Sequence, residues 1–156
     1  MNARIIPLIL IGYLALLTPQ SASAHCNQWN ELYAEVMSLY RQGQSDQAIP
    51  VARQAVTTAE NRFGADHPYV ATSLNVLGQL YFETGQYEPA EPLYTRALNI
   101  YEKSLGPESL GVAQTLTNMA GLYLKMNKID EAFSCLARAQ NIYRTISTTR
   151  PIETPR

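Results

Sequence analysis

Shifted by 42 residues, this chain falls onto itself without a gap. "HPYVATSLNVLGQLYFETGQYEPAEPLYTRALNIYEKSLGPE" (His67 to Glu108) aligns with "SLGVAQTLTNMAGLYLKMNKIDEAFSCLARAQNIYRTISTTR" (Ser109 to Arg150). Val70/Val112, Ala71/Ala113, Leu74/Leu116, Leu80/Leu122 and Tyr81/Tyr123 match in the first half of each block. Ala90/Ala132, Ala97/Ala139, Asn99/Asn141, Ile100/Ile142 and Tyr101/Tyr143 match in the second. A more worn copy precedes them, "LYRQGQSDQAIPVARQAV" (Leu39 to Val56), with Gly43 on Gly85, Ala48 on Ala90 and Ala55 on Ala97. The first half of that copy, Trp29 to Gln42, reads one residue short, because Tyr40 stands three residues before Gly43. A fixed period of this length calls for a stack of like units, each of which cannot bury its apolar side alone.

Within a unit the period is helical. Ala90, Tyr94, Ala97 and Tyr101 are spaced by four, three and four, which sets them on one helical face. Period-two runs of β-branched residues are missing, so the fold is expected to be all-α. Three helix pairs follow, at about 28–42 with 45–62, 67–83 with 87–104, and 110–126 with 129–146. Gly43 and Gly85 stand where each first helix turns back, and Asn127 takes that place in the third pair. Asp46 and Asp130 fall near the starts of second helices, where a helix dipole favours negative charge. Pro68 suits a first helical turn, since its missing N–H would have had no partner there.

The ends differ from the repeats. Met1 to Arg4 is a short basic start, "IIPLILIGYLALL" is almost wholly apolar, and Ala22-Ser23-Ala24 matches a small-x-small cleavage pattern. The expectation is a signal peptide over 1–24, because thirteen apolar residues fall short of the ~20 that span a bilayer. Cleavage would leave 132 residues beginning at His25, with a net charge of −2 from 11 basic and 13 acidic groups. That balance offers no basic patch to nucleic acid or anionic lipid, so neither nucleic-acid binding nor membrane insertion of the mature chain is expected. The segment 147–156 has no periodicity and two prolines, and is expected to be a disordered tail.

Leu77, Gly78, Tyr81, Ala90, Tyr94 and Ala97 of the middle copy follow the spaced signature of the tetratricopeptide repeat family, which the chain resembles from about Asn27 to Tyr143. The 42-residue period and linkers such as "SLGPES" are similar to the kinesin-light-chain type, common in bacterial proteins. The resemblance implies a right-handed α-solenoid of three helix pairs over 25–146, with repeats at about 27–66, 67–108 and 109–146. It implies a concave groove lined by the first helix of each pair. The register then assigns to that groove Thr72, Asn75, Gln79, Phe82 and Glu83, with Gln114, Thr117, Asn118, Gly121, Leu124 and Lys125. From the first copy come Glu31, Ala34, Glu35, Ser38 and Arg41. Asn75 and Asn118 resemble the asparagines that hold peptide backbone in peptide-binding members; an amide both donates and accepts. A carboxylate-gripping groove would need several cations, and only Arg41 and Lys125 are present. The expected ligand is therefore a neutral to apolar segment of another protein.

Catalysis has little to work with. GxSxG, HExxH, CxxC, P-loop and GxGxxG patterns are all missing. His67 reads as a linker residue, and His25 lacks a ring of further ligands, so no metal or cofactor is expected; a metal-dependent enzyme built on His25 is the remote alternative. Cys135 aligns with Leu93 and Val51, as a small apolar residue would, and Cys26 lies two repeats away, which disfavours a bond within one chain and leaves Cys26 a free or intermolecular thiol. An exported interaction module, periplasmic or secreted, is the expected function, with no enzymatic activity. The rival is a self-associating structural protein. In the last helix Phe133 replaces Glu91, while Leu136 and Tyr143 stay apolar with no further helix to cover them, so a partner or a second copy forming a homodimer is expected there.

Overall fold

The computed structural model describes the backbone of residues 20–149 and the side chains of 28–148. Six helices follow one another: α1 (Gln20–Arg41), α2 (Ser45–Phe63), α3 (Pro68–Glu83), α4 (Tyr87–Leu105), α5 (Leu110–Lys125) and α6 (Ile129–Thr149). Each packs on the next in chain order, and α3 also touches α5, so the pairs stack as layers. No strand occurs among the described residues. The fold is an all-α helical solenoid.

Two kinds of bend make this path. Gly43, Gly85 and Asn127 hold positive φ of 72°, 74° and 59°, the left-handed conformation that ends a helix and turns the chain back. The same hydrogen bond closes each turn, from Gln44 to the Leu39 carbonyl, Gln86 to Tyr81 and Lys128 to Tyr123, at 3.0, 2.8 and 2.8 Å. Between pairs, Gly64 and Gly106 donate back to the Glu60 and Glu102 carbonyls. His67 caps α3, its Nδ1 accepting from the Tyr69 backbone N–H at 3.2 Å, and its ring stacks on Phe63. The linker role expected of His67 therefore has a definite form.

These turns correct one reading of the sequence. The first pair is not a residue short: α1 and α3 end at Arg41 and Glu83, 42 residues apart, and their closing bonds are equivalent. Leu39 occupies the place of Tyr81 and Tyr123, and Tyr40 that of Phe82. Helix limits also differ at the ends. α1 begins at Gln20 rather than about 28, running through Ala22 and Ala24, which favour helix. α6 runs to Thr149, into the expected tail, and Ser147 and Thr148 bond back to the Tyr143 and Arg144 carbonyls. The apolar N-terminal segment, the His25 and Cys26 side chains and residues 150–156 lie outside the described residues.

Small residues let paired helices approach. Ala48, Ala90 and Ala132 are fully buried, as are Ala59 and Ala97. Tyr94 is fully buried too, but it fills its own pair rather than the gap to the next. Its ring lies so close to Gly78 that a Cβ there would come within 2.8 Å of it. The register positions of Gly78 and Tyr94 hold Val36 and Ala52 in the first pair and Ala120 and Leu136 in the third. Each pair thus matches a larger residue on one helix with a smaller one on the other. A second match joins neighbouring pairs: Tyr101 of α4 covers Gly111 of α5, where a Cβ would meet the ring at 2.9 Å. One layer earlier those two places hold Ala59 and Tyr69.

On the outer helices an ion-pair ladder repeats with the period. Glu60 meets Arg96 and Glu102 meets Arg138, both at 2.6 Å.

Candidate functional site

The first helices α1, α3 and α5 line a cavity of about 330 Å³. From α1 come Tyr33, Met37 and Tyr40; from α3, Thr72, Asn75, Val76 and Gln79; from α5, Gln114 and Asn118. Tyr101 reaches in from α4, its hydroxyl 2.9 Å from Thr72 Oγ1. None of these side chains is charged. The walls offer hydroxyls and amides around an apolar floor of Met37 and Val76.

Part of this polar surface is already engaged. Asn75 is buried, 9% exposed, and donates from Nδ2 to Thr115 Oγ1 at 3.1 Å. Its Oδ1 accepts from Asn118 Nδ2 at 3.2 Å, and Thr115 in turn donates to the Gly111 carbonyl at 2.8 Å. The two asparagines therefore meet each other between α3 and α5 instead of standing as parallel grips. They sit one residue apart in register, Asn118 sharing its position with Val76. A second chain starts at the buried Tyr94 hydroxyl, which donates to Gln79 Oε1 at 3.3 Å. Gln79 Nε2 donates to Glu83 Oε1 at 2.7 Å, and the Tyr40 hydroxyl approaches the same oxygen at 3.5 Å. Burial, followed by the Glu83 carboxylate and the Tyr40 hydroxyl, pushes the Tyr94 phenol far above its usual range, so it remains a donor. Burial also raises the Tyr101 phenol, and its bond to Thr72 partly opposes this.

Of the residues assigned to the groove from sequence, Asn75, Gln79 and Asn118 line the cavity, with Thr72 and Gln114. Phe82, Leu124 and Lys125 do not. Phe82 is half-buried against Tyr87, ring centroids 5.8 Å apart, and a Cβ on Gly121 would lie 4.0 Å from its ring. It is used at the junction with the third pair. Leu124 holds the same register place in the last described pair, and is 51% exposed. Lys125 is exposed at the end of α5. The first-copy set Glu31, Ala34, Glu35, Ser38 and Arg41 misses the cavity as well. An unbroken 42-residue shift from Asn75, Gln79 and Phe82 gives Tyr33, Met37 and Tyr40, the three that α1 places there.

Elsewhere, Cys135 is a free, half-buried thiol whose pKa burial raises. Among the described residues no three His, Cys, Asp or Glu side chains are grouped to hold a metal. None of the described helices is long and apolar enough to cross a membrane. On α6, Phe133 is 65% and Tyr143 39% exposed, and Leu136 is half-buried.

Stacked helix pairs with a recessed inner face define a class of protein-interaction scaffold. The tetratricopeptide repeat family model matches residues 30–103 and 90–145, and the chain belongs to that family. Among solved structures it resembles a Podosopora anserina protein of nearly identical kinesin-light-chain TPR-like repeats. The TM-score is 0.69 at 21% identity, over 82% of this chain and 59% of that one. A point variant of that protein gives 0.70 at 21%, over 84% and 60%. BtubC (BKLC) from P. vanneervenii gives 0.51 at 19%, over 82% of this chain and 67% of that one. The chain thus spans about three fifths of the length of the Podosopora structures. No curated protein matches the sequence.

Proposed function

We propose that this protein is an exported scaffold that holds a neutral segment of a partner protein in the cavity between α1, α3 and α5. One observation carries the reading: the cavity is recessed, large enough for one or two side chains, and lined without charge. A ligand with carboxylates would find no cation in its walls, whereas a backbone carbonyl or N–H could exchange bonds with Gln79, Gln114 and Thr72. Met37 and Val76 suit an apolar side chain between those contacts. Export rests on the N-terminal sequence pattern, and the compartment we assign is the bacterial periplasm or the medium. Photo-crosslinking tests the binding surface. A benzophenone amino acid at Met37 is expected to trap one partner band that the same group at Gln54, on α2, does not. Equal labelling from both places would reject the cavity as the contact. N-terminal sequencing of the protein recovered from a bacterial host tests export, with His25 expected first and Met1 opposing it.

The exposed Phe133 favours a second reading, in which the C-terminal end of the stack associates with another copy of the chain.

A further inference from the structure

The two ends of the stack are built differently. Where α3 buries Val70, Ser73, Leu77 and Leu80, and α5 buries Val112, Thr115, Met119 and Leu122, α1 carries Gln28, Glu31, Glu35 and Ser38. Gln28, Glu31 and Glu35 are exposed, so the first layer closes itself with a polar, acidic face. The last layer does the reverse. Its outward stripe on α6 runs through Phe133, Ala137, Gln140 and Tyr143, with the half-buried Leu136 at its edge and the exposed Leu124 of α5 at the same end. Copies stacked head to tail would set Phe133 and Tyr143 against Glu31 and Glu35, two carboxylates with Arg144 alone on that stripe to meet them. An end-to-end filament is thus disfavoured, and an apolar end can match its own copy only across a two-fold axis.

We propose that two copies pair through α6, antiparallel, about an axis at the level of Arg138, beside Ala137. The pairing rests on the self-association reading above. The stripe is close to symmetric about that point. Phe133 of one copy falls opposite Tyr143 of the other, and Leu136 opposite Gln140. Asp130, in the acidic first turn, comes within reach of Arg144 of the second copy, and the two helix dipoles oppose. Ala137, exposed and small, permits the axes to approach to about 8 Å. Arg138, also near the axis, is drawn away from it by Glu102 at 2.6 Å, which lessens repulsion between the two copies' guanidinium groups. Arg144 bonds within its own helix to Asn141 at 3.2 Å, and can exchange that contact for a carboxylate.

Light scattering on the purified chain, diluted from roughly 100 µM, reads the association. A dimer mass is expected, which Phe133→Glu reduces to a monomer with unchanged far-ultraviolet circular dichroism. In a Cys26→Ser, Cys135→Ser background, Ala137→Cys should form a disulfide between copies, because its Cα atoms would approach within ~7 Å. Gln28→Cys, at the opposite end, should not. Arg144→Glu should weaken the dimer by about fivefold, and adding Asp130→Arg should restore it. A monomer at the highest concentration overturns the proposal together with the self-association reading. A dimer that Phe133→Glu abolishes, but that Ala137→Cys does not cross-link, keeps that reading and overturns the antiparallel pairing.

Discussion

Gly78 has no room for a side chain because Tyr94 occupies it, and Tyr94 cannot retreat because it is fully buried. Gly78→Ala is therefore expected to cost about 1–3 kcal/mol by overpacking. Tyr94→Leu should cost a similar amount through the space it leaves. Together they reproduce the Ala120/Leu136 match of the third pair, and the double variant should lose less than the sum of the two. A double-mutant cycle in urea measures this coupling, and additive losses would show the two positions to be independent. The match is hard to see in one sequence, since each member alone is an ordinary apolar or small residue. Only the paired change across three copies reveals it.

At the scale of the element, the first-helix turns depend on one left-handed residue each. Gly85 has φ +74° and nothing within 4 Å of a built Cβ, so Gly85→Ala tests backbone conformation without steric clash. It should cost about 1–2 kcal/mol, and Gly85→Asn less, as Asn127 already serves at φ 59°. The urea midpoints of the two variants decide the order. These turns were fully legible, because glycine and asparagine announce them. The groove was legible only where the register was. Tyr40 resembles the aromatic Tyr81 more than its true counterpart Phe82, and a single chemical likeness shifted the first helix by one residue. That slip moved the expected groove from Tyr33, Met37 and Tyr40 onto the polar end face. Phe82 departs for another reason: an apolar residue on an inner helix can face the next layer as readily as a ligand, and periodicity within one helix does not separate the two.

For the whole molecule, phenols wholly or partly withdrawn from water set a limit in alkali. Burial and then the Glu91 carboxylate raise the Tyr123 phenol to about 12, and Tyr94 and Tyr101 are raised as well. Unfolded tyrosines ionise near 10. Between those values the unfolded chain has given up protons that the folded one keeps, so stability is intact below pH ~10 and falls as pH rises beyond it. Melting temperatures from pH 7 to 11.5 should be flat and then drop, roughly from 10 upward. Tyr123→Phe should make the drop shallower, and an unchanged slope would remove Tyr123 from the account. The period and the all-α character follow from the repeat alone. The polar closure of α1 did not, since Glu31 and Glu35 read as groove residues until α3 showed what their places bury. The matched positions at the junctions carry one further consequence, for how such a gene can change. A tandem copy of the middle unit placed after itself would set Tyr101 where it meets Tyr69 instead of Gly111, two rings in a space that holds one. Unequal recombination that duplicates the middle unit would thus yield a junction that cannot close, whereas a tandem copy of the third unit would set Tyr143 on Gly111 and keep the match.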